Sequence, residues 1–136
     1  MTEQRRRYAI VVDDSRAART ELRRILVALG FAVVEAEHGE EALELLRAEP
    51  GVELVLVDWH MPVMDGLTLI KTIRREPHWS ELPIVMVSSE VDHRQIARAL
   101  MAGADEYVMK PFDFATILGK LRSLGIVPPQ PGESVE

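Results

Sequence analysis

The chain is predicted to fold as an α/β domain built on a five-stranded parallel sheet. Three observations predict it. Five short apolar runs, at residues 8–12, 32–35, 54–57, 84–87 and 107–109, are near-continuous rather than alternating, as expected of strands buried on both faces. Segments with apolar side chains at helical spacing follow each run. Strands and helices therefore alternate strictly, which implies right-handed crossovers and helices on both faces of the sheet.

Each element has its own signal. After the first run, Leu22, Ile25, Leu26 and Leu29 stand at i, i+3, i+4 and i+7, with Ser15 placed to cap that helix and Gly30 to end it. Ala42, Leu45 and Leu46 mark a second helix, ended by Pro50-Gly51. Leu69, Ile70 and Ile73 mark a third, stopped before Pro77. Ile96, Ala99 and Leu100 mark a fourth, ended near Gly103, and Phe114, Ile117, Leu118 and Leu121 repeat the first stripe in a fifth. Residues 1–5 form a lead-in, with Arg5-Arg6-Arg7 read as solvated. Residues 6–125 form the domain. Residues 126–136, with three prolines and almost no apolar side chains, read as a disordered tail.

The totals narrow the function. A chain of 136 residues, 47% hydrophobic and 28% charged, is one ordinary globular domain. A net charge of −6 argues against nucleic-acid binding, which depends on clustered Lys and Arg. With no cysteine, disulfides and Cys-based zinc sites are excluded. No stretch approaches the roughly 20 apolar residues of a membrane span, and no signal-peptide core follows Arg7. A soluble, cytoplasmic protein with no membrane partner is expected.

Polar residues with chemical potential gather at the strand ends. Asp13-Asp14 end the first run. Asp58 ends the third and opens the loop Asp58-Trp59-His60-Met61-Pro62-Val63-Met64-Asp65-Gly66. Ser88 follows the fourth, and Tyr107 and Lys110-Pro111 mark the fifth. Open α/β sheets place their chemistry beyond the carboxyl ends of the strands. Taken singly, each has a plain reading: Asp13-Asp14 a turn and cap, Asp65-Gly66 a turn, Ser88 a strand-end hydroxyl, Tyr107 a strand-favouring aromatic, Lys110 a surface lysine. Together they would make an anionic pocket for a divalent cation and a phosphoryl group. His38, His60, His78 and His93 share no helical face and read as solvated loop histidines rather than a metal site.

In this order and at these strand ends, Asp13-Asp14, Asp58 with its loop, Ser88, Tyr107 and Lys110-Pro111 resemble a response-regulator receiver domain, over roughly residues 6–124. The stand-alone chemotaxis type (CheY-like) is the nearest in appearance. The resemblance implies a flavodoxin-like, doubly wound (βα)5 sheet of order 2-1-3-4-5. It implies Asp58 as phosphoacceptor, forming an aspartyl phosphate. It implies Mg²⁺ on Asp14, Asp58 and the backbone carbonyl of His60, with Asp13 acting through a water. Lys110 would pair with the phosphoryl group, Ser88 would turn its hydroxyl toward it, and Tyr107 would act as a switch. A cis Lys110-Pro111 bond is implied as well.

The functional expectation is a two-component signal-transduction switch rather than an enzyme, one that catalyses only its own phosphorylation and dephosphorylation. It would take a phosphoryl group from a histidine kinase or phosphotransfer protein. A downstream protein would bind the face formed by 91–101, Tyr107 and 112–124, with chemotaxis one candidate pathway and a monomer or weak dimer the expected state. His60 and Glu90 would tune the lifetime of the phosphoryl group. Ser89 departs from the family, which commonly has Ala or Gly there for access to the acceptor. Other readings are a receiver-like scaffold working without phosphorylation, a fragment of a longer regulator, and a phosphatase using Asp58. The last lacks the Asp-x-Asp that haloacid-type phosphatases carry after their first strand.

Overall fold

The computed structural model describes residues 7–127, so residues 1–6, with the lead-in and Arg5-Arg6, and residues 128–136 lie outside the described residues. Ten regular elements follow one another: β1 (Arg7–Val12), α1 (Arg16–Ala28), β2 (Phe31–Ala36), α2 (Gly39–Ala48), β3 (Val52–Val57), α3 (Gly66–Arg75), β4 (Ile84–Ser88), α4 (His93–Ala102), β5 (Glu106–Met109) and α5 (Phe114–Ser123). The strands are parallel and ordered β2-β1-β3-β4-β5, a flavodoxin-like sheet. A 3-10 turn at Pro77–Trp79, which no periodic signal marked, links α3 to β4.

Side chains alternate along each strand between two apolar layers, which is why the strands read as continuous apolar runs. Ile10, Val12, Val55, Val57, Ile84 and Met86 face the layer holding Leu46 of α2, Ile70 and Ile73 of α3 and Ala99 of α4. Ala9, Val11, Leu54, Leu56, Val85 and Val87 face Leu22 and Leu26 of α1 and Ile117 and Leu121 of α5. The edge strands depart from the two-faced rule: Val33 and Val34 of β2 and Tyr107 of β5 are only half-buried.

The caps fall where expected. Ser15 accepts from the Ala18 amide, and Gly30 (φ 100°) and Gly103 (φ 130°) follow α1 and α4 in the left-handed region. Two stripe residues do not: Leu100 and Phe114 are each 43% exposed, because α4 and α5 bury narrower faces than their periods suggest. The tail boundary also moves. Ile126 and Val127 are buried in the α1/α5 layer, so the packed chain continues two residues past 125.

Arg7 is no solvated lead-in. Its guanidinium pairs with Glu53 at 2.9 Å, donates to the Ile126 carbonyl at 2.6 Å and lies 4.7 Å over the Phe31 ring. It thereby ties β1, β2, β3 and the end of the fold together at the amino edge of the sheet. Arg74 does the same across α3: it donates to the carbonyls of Gly103 and Trp79 and to Asp105, whose Oδ2 also accepts from the Ile84 amide. The Lys110-Pro111 peptide is cis.

Candidate functional site

The chain leaves β1 toward β2 on one side and returns to β3 on the other, so β1 and β3 flank the point where strand order reverses. At such a point the connecting segments diverge and leave a crevice beyond the carboxyl ends. Asp13 and Asp58 sit at its two lips, their amides pinned to the neighbouring strand ends: Asp13 N–H to Ala36 O at 3.0 Å and Asp58 N–H to Val12 O at 2.9 Å. Asp13 is 1% exposed and Asp58 9%, whereas Asp14 is exposed. Ligand oxygens of Asp13, Asp14 and Asp58 all lie within 4.8 Å of one another.

The two buried carboxylates are held alike. Oδ1 of Asp13 accepts from the Ser15 amide at 2.9 Å, and Oδ1 of Asp58 from the Trp59 amide at 2.7 Å. Lys110 Nζ reaches both remaining oxygens, Asp13 Oδ2 at 2.8 Å and Asp58 Oδ2 at 3.3 Å. β5 delivers that lysine, whose amide donates to the Ser88 carbonyl at 2.9 Å. Burial alone would pull the Lys110 ammonium down, yet the bonds and charges of Asp13 and Asp58 together hold it above its usual range. Burial pushes the Asp13 carboxyl up, and the charge of Asp58 adds to this; the bonds from Lys110 and Ser15 oppose without cancelling it. One lysine thus pairs with two of three clustered acids. Their oxygens match what a hard divalent cation takes, so the residues fit such an ion.

Beside this pocket the remaining expected residues converge on Glu90. Ser88, fully buried, accepts the Glu90 amide on Oγ at 3.3 Å, while the Tyr107 hydroxyl donates to the Glu90 carbonyl at 2.8 Å. Burial pushes the half-buried Tyr107 phenol up. His60 Nε2 stands 3.5 Å from Glu90 Oε1, which brings the two expected tuning residues into contact. Ser89 is exposed. Of the other histidines, His38 is a correction to the solvated reading: its Nδ1 caps α2 by accepting the Glu41 amide.

Two further residues shape the site. Asp65-Gly66 is more than a turn. Asp65 caps α3, and Gly66 packs so closely on Asp58 that a Cβ there would overlap the Asp58 carbonyl oxygen. The Pro/Gly composition of the loop was its signal. Arg19 is the second, a buried guanidinium bonded to the Asp13 carbonyl at 2.7 Å and to Glu35 at 2.9 Å. Its place three residues before Leu22 and seven before Leu26 put it on the apolar stripe of α1, where a charge is out of place unless partnered.

A doubly wound sheet carrying an acid trio and a strand-end lysine defines a receiver-type site. The chain belongs to the response regulator receiver domain family, whose model matches residues 9–122. It is 40% identical over 116 residues to a chemotaxis protein CheY homolog of Campylobacter jejuni, covering 85% of this chain and 89% of that protein. It is also 40% identical over 113 residues to chemotaxis protein CheY1 of Helicobacter pylori, covering 82% and 91%. Among solved structures it superposes on CheY4 of Vibrio cholerae with a TM-score of 0.81 at 28% identity, over 88% of this chain and 98% of that one. The CheX-CheY-BeF3-Mg²⁺ complex of Borrelia burgdorferi matches with a TM-score of 0.81 at 28% identity, over 87% and 88%. The chain is therefore a receiver domain of the kind found in CheY-type two-component response regulators. Among the described residues, no helix is long and apolar enough to cross a membrane.

Proposed function

We propose that this protein is a cytoplasmic phosphorylation switch, with Asp58 as phosphoacceptor and a histidine kinase or phosphotransfer protein as donor. The observation that carries this reading is the Lys110 ammonium shared between Asp13 Oδ2 and Asp58 Oδ2 beside a third acid. An Asp58 oxygen attacks phosphorus to form the acyl-phosphate C–O–P bond. The P–N bond of a phosphohistidine donor breaks, and the imidazole keeps the electron pair and takes a proton. Asp14, Asp58 and the His60 carbonyl would hold Mg²⁺, with Asp13 acting through a water. When bound, the ion supplies charge neutralisation for the transferring phosphoryl oxygens. Lys110 then exchanges its Asp58 contact for a phosphoryl oxygen.

Ser88 and Tyr107 carry the consequence outward. A phosphoryl oxygen on Asp58 would accept from the Ser88 hydroxyl and draw its Oγ away from the Glu90 amide that donates to it, and Glu90 is the residue whose carbonyl Tyr107 holds. Phosphorylation so shifts the balance between two arrangements of this corner. The responding surface is α4, β5 and α5, where Val91, Leu100, Met101, Met109 and Phe114 stay exposed, and a protein partner docks there. Relatives named for chemotaxis favour that pathway.

Intact mass after incubation with acetyl phosphate tests the reading. One phosphoryl adduct is expected with Mg²⁺, and none with EDTA or in folded Asp58→Ala. An adduct that survives in Asp58→Ala would overturn it.

A further inference from the structure

Arg19 is 8% exposed, and an arginine so buried needs partners for its donors. It has two. Nη1 donates to the Asp13 carbonyl at 2.7 Å and Nε to Glu35 Oε1 at 2.9 Å. The second Glu35 oxygen is taken by Arg23 Nε at 2.6 Å, and Arg23 also reaches the Val33 carbonyl at 3.2 Å. Glu35 is therefore braced on both oxygens, and the two guanidinium groups hold its carboxyl below the usual carboxylate range.

The Asp13 carbonyl belongs to the peptide that carries Asp14, and the amide on the other side of Asp13 is already fixed to Ala36 O. Arg19 thus immobilises the peptide plane joining two of the three acids, while its own amide donates to the carbonyl of the cap residue Ser15. We propose that Arg19 is a positioning residue for the cation site, holding Asp13 and Asp14 in ligating geometry through the Asp13 carbonyl and Glu35. This rests on the cation-binding reading of the site. Outer partners that orient ligands typically change metal affinity about 10–100-fold when removed.

The test is a Mg²⁺ titration followed by Trp59 fluorescence, in a Trp79→Phe background that leaves Trp59 the only tryptophan. Arg7→Ala, which breaks a clamp at the opposite end of the sheet, is the control for general destabilisation. Arg19→Ala should weaken Mg²⁺ binding about tenfold, Arg19→Lys less, and Arg7→Ala not at all. In EDTA, the Ser15 amide, which rests on Asp13 Oδ1, should exchange its hydrogen faster in Arg19→Ala only. Arg19→Lys keeps the comparison available if the alanine variant does not fold. Wild-type affinity in both Arg19 variants, or equal loss in Arg7→Ala, would overturn the positioning role alone. A wild-type protein that does not respond to Mg²⁺ would overturn the reading of the site and this role with it.

Discussion

Gly66 and Asp13 show how tightly single residues constrain the acidic pocket around Asp58. Gly66 N–H donates to the Trp59 carbonyl at 2.8 Å, and its α-carbon lies against the Asp58 carbonyl. Adding one methyl there forces the loop after Asp58 to shift, and Gly66→Ala is expected to cost about 1–3 kcal/mol in urea denaturation. An unchanged midpoint would mean that the loop has slack. Asp13 gives a prediction with a sign. Its folded-state carboxyl lies above the ordinary 3.8, so its protonated form favours the folded state. That contribution is complete below the unfolded value and fades as pH rises through the folded one. Metal-free Asp13→Asn should therefore melt above wild type at pH 7, with the gap closing toward pH 3. A variant that melts lower at pH 7 would show that the Lys110 bond outweighs burial. Asp13, Asp14, Asp58, Ser88 and Lys110 were all legible in the chain as polar residues at strand ends, and Tyr107 as an aromatic within the last strand. Arg19 was not singled out, because a charged residue on a helical stripe is visible only when every position of the stripe is asked what it faces.

At the scale of elements, the strands were legible because residues of both faces are apolar, and the helices because one stripe of each is. Boundaries shifted by one or two residues, and Leu100 and Phe114 fell outside the buried faces they were assigned to. Their period is right, but α4 buries only Ala99 fully, leaving apolar surface where a partner-binding face is proposed. Long-range braces gave no signal. Arg74 reads as one more basic residue at the end of α3, yet it joins α3, the 3-10 turn, the end of α4 and the residue before β5 through the carbonyls of Gly103, Trp79 and Ser80 and through Asp105. Arg74→Ala should lower stability by about 2–3 kcal/mol, since charged donors to partly buried acceptors contribute about 1.5–3 kcal/mol each. Thermal melts checked against Arg75→Ala, which is exposed on the same helix, measure it. Equal melting of the two variants would mean that the brace contributes nothing.

Across the whole molecule, the order of the strands decides where the chemistry falls. Alternation of elements predicts a parallel sheet but not which strand neighbours which; the order 2-1-3-4-5 came from resemblance to receivers, and the structure has it. That order brings Lys110 to Asp13 and Asp58, residues 97 and 52 positions away in the chain. Periodicity carries no information about such distances; that strand-end residues gather beyond the carboxyl ends of an open sheet was expected from the fold class, and which strands would be neighbours only by way of the family. The same folding closes the amino edge, where Arg7 and Ile126 meet at a distance in sequence that no local pattern reports. The central claim is that this convergence makes Asp58 the acceptor. It is tested most directly by borohydride trapping, which reduces an aspartyl phosphate to homoserine, followed by peptide mapping of protein treated with acetyl phosphate and Mg²⁺. Homoserine at position 58, absent when EDTA replaces Mg²⁺, is the predicted result. Homoserine at Asp13 or Asp14 instead, or phosphate held on a histidine, would contradict it.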